Sequence, residues 1–170
     1  MEQNEQIKME DQMSFSLNRP INEQILMKAH MNLKLFGPDG KLKDERNVHN
    51  TVSSAAKYGT MDQLLATPNN VGYTAKPGWM ELGTGSIGAT TLGAYISGSR
   101  TVLDSKTRSG AVITMICTFI PTVGTGAITE AGIFDVVTQN TQYLWLGANF
   151  AVVTKGAGDT LVITWTLTQS

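Results

Sequence analysis

Leu161-Val162-Ile163-Thr164-Trp165-Thr166-Leu167-Thr168 decides the fold. In an extended chain Leu161, Ile163, Trp165 and Leu167 fall on one face, and three Thr with Val162 fall on the other. Period-two alternation of this kind marks a half-buried strand. Ala111 to Ile120 repeats it, with Ile113, Met115, Cys117 and Phe119 on one face. Ile128 to Val137 and Gln142 to Phe150 read as further strands between Gly or Asn turns. From Gly110 to Ser170 only four side chains are charged: Glu130, Asp135, Lys155 and Asp159. A soluble monomer normally carries more charge than that. Such a surface points to a β-domain that meets other protein over much of its area.

Working outward, Met31-Asn32-Leu33-Lys34-Leu35-Phe36 reads as a strand and Gly37-Pro38-Asp39-Gly40 as a turn. Pro presets φ at the first central turn position, and Gly tolerates positive φ at the end. Lys41 to Val48 returns as the second, charged strand of that hairpin. Residues 51–66 are expected to form the one helix, with Asn50 or Thr51 as N-cap and Val52, Ala55, Ala56, Leu64 and Leu65 as its apolar stripe. Gly59 weakens the middle of that helix. Gly78 to Leu82 is a short strand, and Tyr95 to Leu103 is extended. Residues 1–29 are rich in Glu, Gln, Asn and Met and show no clean period. They hold more apolar residues than a solvated tail requires, which predicts an extended arm lying on a neighbouring subunit. Evenly spaced strands predict a mainly β fold over residues 30–170, a β-sandwich or jelly-roll-like domain.

Composition narrows the function classes. A formal net charge of −1 over 170 residues offers no basic stripe for nucleic acid. The start, Met1-Glu2-Gln3-Asn4-Glu5, has neither the basic opening nor the apolar core of a signal peptide. No apolar run approaches the roughly 18 residues of a membrane span. The chain is therefore expected to fold in a reducing cytoplasm, and Cys117 to be a small buried hydrophobe.

Several motifs invite a chemical reading. Gly83-Thr84-Gly85-Ser86-Ile87-Gly88 has the spacing of a dinucleotide-binding turn, and Asp104 stands where a ribose-binding acid would. That motif needs a helix opening at its third glycine within a βαβ unit, and Ala89-Thr90-Thr91-Leu92-Gly93 is a poor helix start. The glycines are read as a loop between strands, with no cofactor. His30 and His49 lack a Cys, His or carboxylate partner at ligand spacing, so no metal site is expected. The carboxylates form no acid/base pair, and no catalytic residue is assigned. Glu130 lies in a nearly uncharged strand, where a lone carboxylate costs several kcal/mol. Arg100, also in an uncharged segment, is its expected partner in a structural ion pair. Of the tryptophans, Trp165 belongs to the core, whereas Tyr143 and Trp145 share a face and are the candidate exposed contacts.

Asn47-Val48-His49-Asn50-Thr51-Val52, then Met80-Glu81-Leu82-Gly83-Thr84-Gly85, the Leu92 to Arg100 stretch, Gly126-Ala127-Ile128-Thr129-Glu130-Ala131-Gly132-Ile133-Phe134 and the closing Gly158 to Leu167 segment resemble, in order and spacing, a family of tailed-bacteriophage structural proteins. The likeness covers residues 30–168. The chain differs from the family pattern before Arg100, where Tyr95-Ile96-Ser97-Gly98-Ser99 stands in place of an acidic residue. The resemblance implies a virion component, first of all a capsid decoration or cement protein acting as a homo-oligomer, a trimer, on the major capsid protein. Phe15, Leu17, Arg19 and Ile21 are then the expected contacts of the arm. The alternatives are a tail, baseplate or fibre-attachment component, and a carbohydrate-binding module using Tyr143 or Trp145.

Overall fold

The computed structural model describes residues 27–53, 56–57, 60, 76–139 and 144–169. They form β1 (Met27–Phe36), β2 (Leu42–Val52), β3 (Trp79–Gly83), β4 (Thr101–Val102), β5 (Ser105–Ser109), β6 (Val112–Phe119), β7 (Gly126–Phe134), β8 (Leu144–Lys155) and β9 (Thr160–Gln169). All pairings are antiparallel, in the order β4-β3-β7-β8-β2-β1-β9-β6-β5. The long strand β2 belongs to two sheets. Its first part pairs with β1, while Thr51 and Val52 pair with Gly147 and Leu146 of β8. The mainly β, sandwich-like architecture predicted by the alternation is therefore present. Opposite β2 the sheets approach again, where the Asp104 N–H donates to the Ile116 carbonyl at 2.8 Å.

The core forms as the strand periods dictate. Met31, Leu33 and Leu35 of β1, Met115, Cys117 and Phe119 of β6, and Leu161, Ile163 and Trp165 of β9 are all buried from the first sheet. They meet Met80, Leu82, Ile128, Ala131, Ile133, Leu146 and Ala148 from the second. Each fully buried aliphatic or aromatic side chain stabilises by about 1.5–3 kcal/mol.

Three boundaries depart from expectation. Strand β1 includes residues ahead of residue 30, because Met27 and Lys28 already pair with Gln169 and Thr168. Thr51 and Val52 continue the strand rather than opening a helix, as suits β-branched residues. The helix starts only after Ser53, whose Oγ accepts the Ala56 N–H at 3.1 Å as an N-cap. Ala56, Lys57 and Thr60 are helical, and the rest of the predicted helix lies outside the described residues. Finally, β5 has no apolar signal: Ser105-Lys106-Thr107-Arg108-Ser109 is an exposed polar edge strand.

The outer face of the second sheet is not solvated. The segment between β3 and β4 folds over it, and Leu92, Phe134 and Leu144 form a second small core there with Trp79 and Ile87. This cover positions the polar groups described next.

Candidate functional site

Two buried carboxylates hold the covering segment in place, and neither does so as the sequence implied. Glu130 is fully buried and accepts three backbone N–H groups, from Gly85 and Ala94 on Oε1 and from Gly93 on Oε2, each at 2.9 Å. A carboxylate is an acceptor-only group with room for such donors. Of the glycines read as a loop, Gly85 alone donates, Gly83 instead ending β3, and with Gly93 and Ala94 it forms a cradle whose anion is the chain's own side chain. Space explains why glycine is needed: a Cβ on Gly85 would sit 2.6 Å from the Ala94 nitrogen and 3.0 Å from Glu130 Oε1.

Arg100 does not pair with Glu130. Its Nη2 donates to Glu81 Oε2 at 2.7 Å, with both side chains only 2% exposed. The register explains the substitution: Glu81 faces Gly132 and Gly83 faces Glu130 across β3 and β7, so the two carboxylates project from neighbouring positions of one covered face. Arg100 also donates from Nη1 to the Val136 carbonyl at 2.7 Å and stacks 3.7 Å from the centre of the Phe134 ring. The Gln139 amide donates to Glu81 Oε1 at 2.6 Å and accepts the Gly98 N–H at 3.0 Å. One carboxylate thereby fixes residues 85–94, and the other fixes 96–100 and 136–139. Sequence reasoning passed over Glu81 because Met80-Glu81-Leu82-Gly83, buried on both faces, carries no alternation.

A third polar cluster closes one end of the sandwich. Asp159 accepts from Lys43 Nζ at 2.7 Å and from the Gly156 N–H at 2.8 Å, contacts that hold its carboxyl below the ordinary range. Buried Lys155 donates to the Ile120 carbonyl at 3.1 Å, and burial pulls its ammonium down against the opposing charge of Asp159. Asp135 behaves in the other sense. Burial raises its carboxyl, against its own backbone N–H, the Trp145 indole and the Arg100 charge.

Trp145 is not an exposed contact. Opposite the irregular step between Ile133 and Phe134, β8 carries one extra residue, and that bulge places Trp145 in the main core at 9% exposure. Tyr143 lies outside the described residues, as do Phe15, Leu17, Arg19 and Ile21 of the arm. The rim of Trp145 does floor a cleft of about 390 Å³, together with Ile113 and Met115. Lys76, Lys106 and Arg108 stand around it, and burial with the neighbouring Lys76 charge lowers the Lys106 ammonium. An apolar floor under three cations suits an acidic chain segment that carries apolar side chains.

Most telling is where charge does not go. All four charged side chains of the last third are buried: Glu130, Asp135, Lys155 and Asp159, at 0–4% exposure. Ile120, Val137 and Val152 of the same stretch are meanwhile 58%, 57% and 54% exposed. Among the described residues no group of three or more His, Cys, Asp or Glu is placed to hold a metal ion. Comparison with protein-family models, with curated proteins and with solved structures finds no match.

Proposed function

We propose that the chain is a structural subunit of a bacteriophage virion, a capsid decoration protein that binds the shell as a homo-oligomer. One observation carries the reading. The final 60-odd residues present no exposed charged side chain among those described, yet leave large aliphatic residues in water. A surface stretch that leaves aliphatic side chains in water and carries no charge suits contact with other protein better than free solvent. The buried ionic groups support the same conclusion, since Glu81, Arg100, Glu130 and Asp159 are all engaged in holding loops. The order and spacing of the motifs that resemble tailed-phage structural proteins support it further.

In this reading the N-terminal arm extends each subunit onto the next. Glu2, Glu5, Glu10, Asp11 and Glu23 outnumber Lys8 and Arg19 there and share the segment with Met9, Met13, Phe15 and Leu17, a net acidic and partly apolar complement of the cationic, apolar-lined cleft. We assign the cleft to the arm of a neighbouring copy. A decoration oligomer stabilises the shell because it binds the assembled state, and its several weak contacts add through effective concentration.

The deciding experiment is the copy number of this chain per purified virion, relative to the major capsid protein. A lattice component is expected in stoichiometric proportion, on the order of hundreds of copies. About ten copies would transfer the chain to the tail, baseplate or fibre attachment, and none would refute the virion reading. Removal of residues 1–26, which spares all of β1, tests the arm: the domain should stay folded and lose capsid binding. Retained binding would remove the arm from the interface. The carbohydrate reading named Tyr143 or Trp145; it loses Trp145, whose ring lies in the core, while Tyr143 lies outside the described residues.

A further inference from the structure

Across the outer face of the first sheet, His30 of β1 stands directly opposite His49 of β2. Their ring centroids are 5.5 Å apart with planes inclined at 40°. His30 is half-buried and His49 exposed, so both can be reached from solvent. Sequence separation hides this juxtaposition, which arises only from the hairpin register.

The spacing has chemical meaning. Imidazole nitrogens bind zinc at about 2.0–2.1 Å, and each ring centre lies roughly 1.1 Å beyond its nitrogen, so two imidazoles on one tetrahedral ion have centres about 5.2 Å apart. The observed separation is within a few tenths of an ångström of that value. The backbone beneath is fixed, because β1 is hydrogen-bonded on both sides, by β2 and by β9. On the adjacent row Asn32 donates to Asn47 at 2.9 Å and to Glu45 at 2.8 Å, which pins the register, while Thr166 of β9 stands opposite His30 on its other side. A site on paired strands is held more rigidly than one on loops.

We propose that His30 and His49 form a two-histidine site for a divalent transition ion of the zinc, nickel or copper class, with water in the remaining positions. Imidazole suits these ions, whereas magnesium and calcium prefer oxygen donors. A bound ion would clip β1 to β2 on the face opposite the core. It is independent of the virion reading.

The test is calorimetric titration of the metal-depleted full chain with zinc chloride, beside the His30→Gln and His49→Gln variants and the double variant. One zinc per chain is expected. Loss of an outer-shell partner alone weakens metal affinity about 10–100-fold, so loss of either ligand should weaken it by at least that much. The melting temperature should rise with zinc in the wild-type chain and stay unchanged by zinc in the double variant. Because both residues are on the surface, the variants without zinc should melt as the wild type does. No saturable binding, or equal binding by the double variant, would reduce the two rings to a tilted surface pair.

Discussion

Replacing Glu130 by Gln is the most searching single perturbation of this fold. The change is isosteric and removes one acceptor. Because Oε1 serves two N–H groups and Oε2 one, the amide should orient its oxygen toward Gly85 and Ala94. Its NH₂ then faces the Gly93 N–H, donor against donor. One buried N–H left unpaired costs about 1–3 kcal/mol. The two surviving bonds fall from the charged class, about 1.5–3 kcal/mol, to the neutral class, about 0.5–1.5 kcal/mol. The total loss is roughly 3–6 kcal/mol, a large share of the about 5–15 kcal/mol that holds a domain together. Urea unfolding is the assay. With a slope of about 2 kcal/mol per molar, the midpoint should fall by roughly 2 M while the slope stays constant. A loss below about 1 kcal/mol would refute the cradle. A double-mutant cycle separates this network from the ion pair beside it: Glu81→Gln and Arg100→Met should couple strongly, whereas Glu130→Gln and Arg100→Met should add within about 0.5 kcal/mol.

Other outcomes follow from the same contacts. Arg100→Met should cost about 3–5 kcal/mol, since it strands the buried Glu81 charge, and a thermal melt would reveal it. An intact melting temperature would mean that Glu81 finds another partner. Asp135, whose carboxyl burial raises above the ordinary 3.8, favours the folded state fully below that value and loses this contribution as pH climbs through its higher folded one. Asp135→Asn should therefore flatten the fall in stability across that window. Asp159, held below 3.8, acts oppositely: its contribution is complete above that value and disappears as acid protonates it, so Asp159→Asn should remove the acid-side loss seen by urea titration at low pH. Cys117, whose thiol burial and the Asp104 charge push up to about 12, should resist a thiol reagent at pH 8 and react fully in denaturant. Rapid labelling of the native chain would contradict its burial.

The sandwich was legible because its main core obeys a simple period. Leu161, Ile163 and Trp165, and Met115, Cys117 and Phe119, alternate with half-buried residues, so each face could be assigned from the sequence. Legibility ended where one sheet is covered on both sides. In β7 the run from Glu130 to Phe134 is buried without interruption, and in β8 so is Leu144 to Ala148. Alternation disappears there, and with it the information that would distinguish Glu81 from Glu130 as the partner of Arg100. The bulge that turns Trp145 inward is a one-residue irregularity with no compositional mark. Strand β5 escaped notice for the opposite reason, being polar on both faces at the edge of its sheet. The His30 and His49 juxtaposition depends on a register that only the folded hairpin defines.

The position of β1 has a consequence for how the protein is made. The first strand among the described residues sits between β2 and β9, and all ten of its residues are registered against β9. β2 can join it as soon as the hairpin emerges from the ribosome. The other side of β1 stays open until more than a hundred further residues have been translated. Contacts so distant in sequence close slowly. A nascent chain therefore keeps Met31, Leu33 and Leu35 without their final neighbours until β9 arrives, and the closed core comes into being in one late step. A chain that stops short of β9 would leave that core open by the same geometry that makes the finished domain stable.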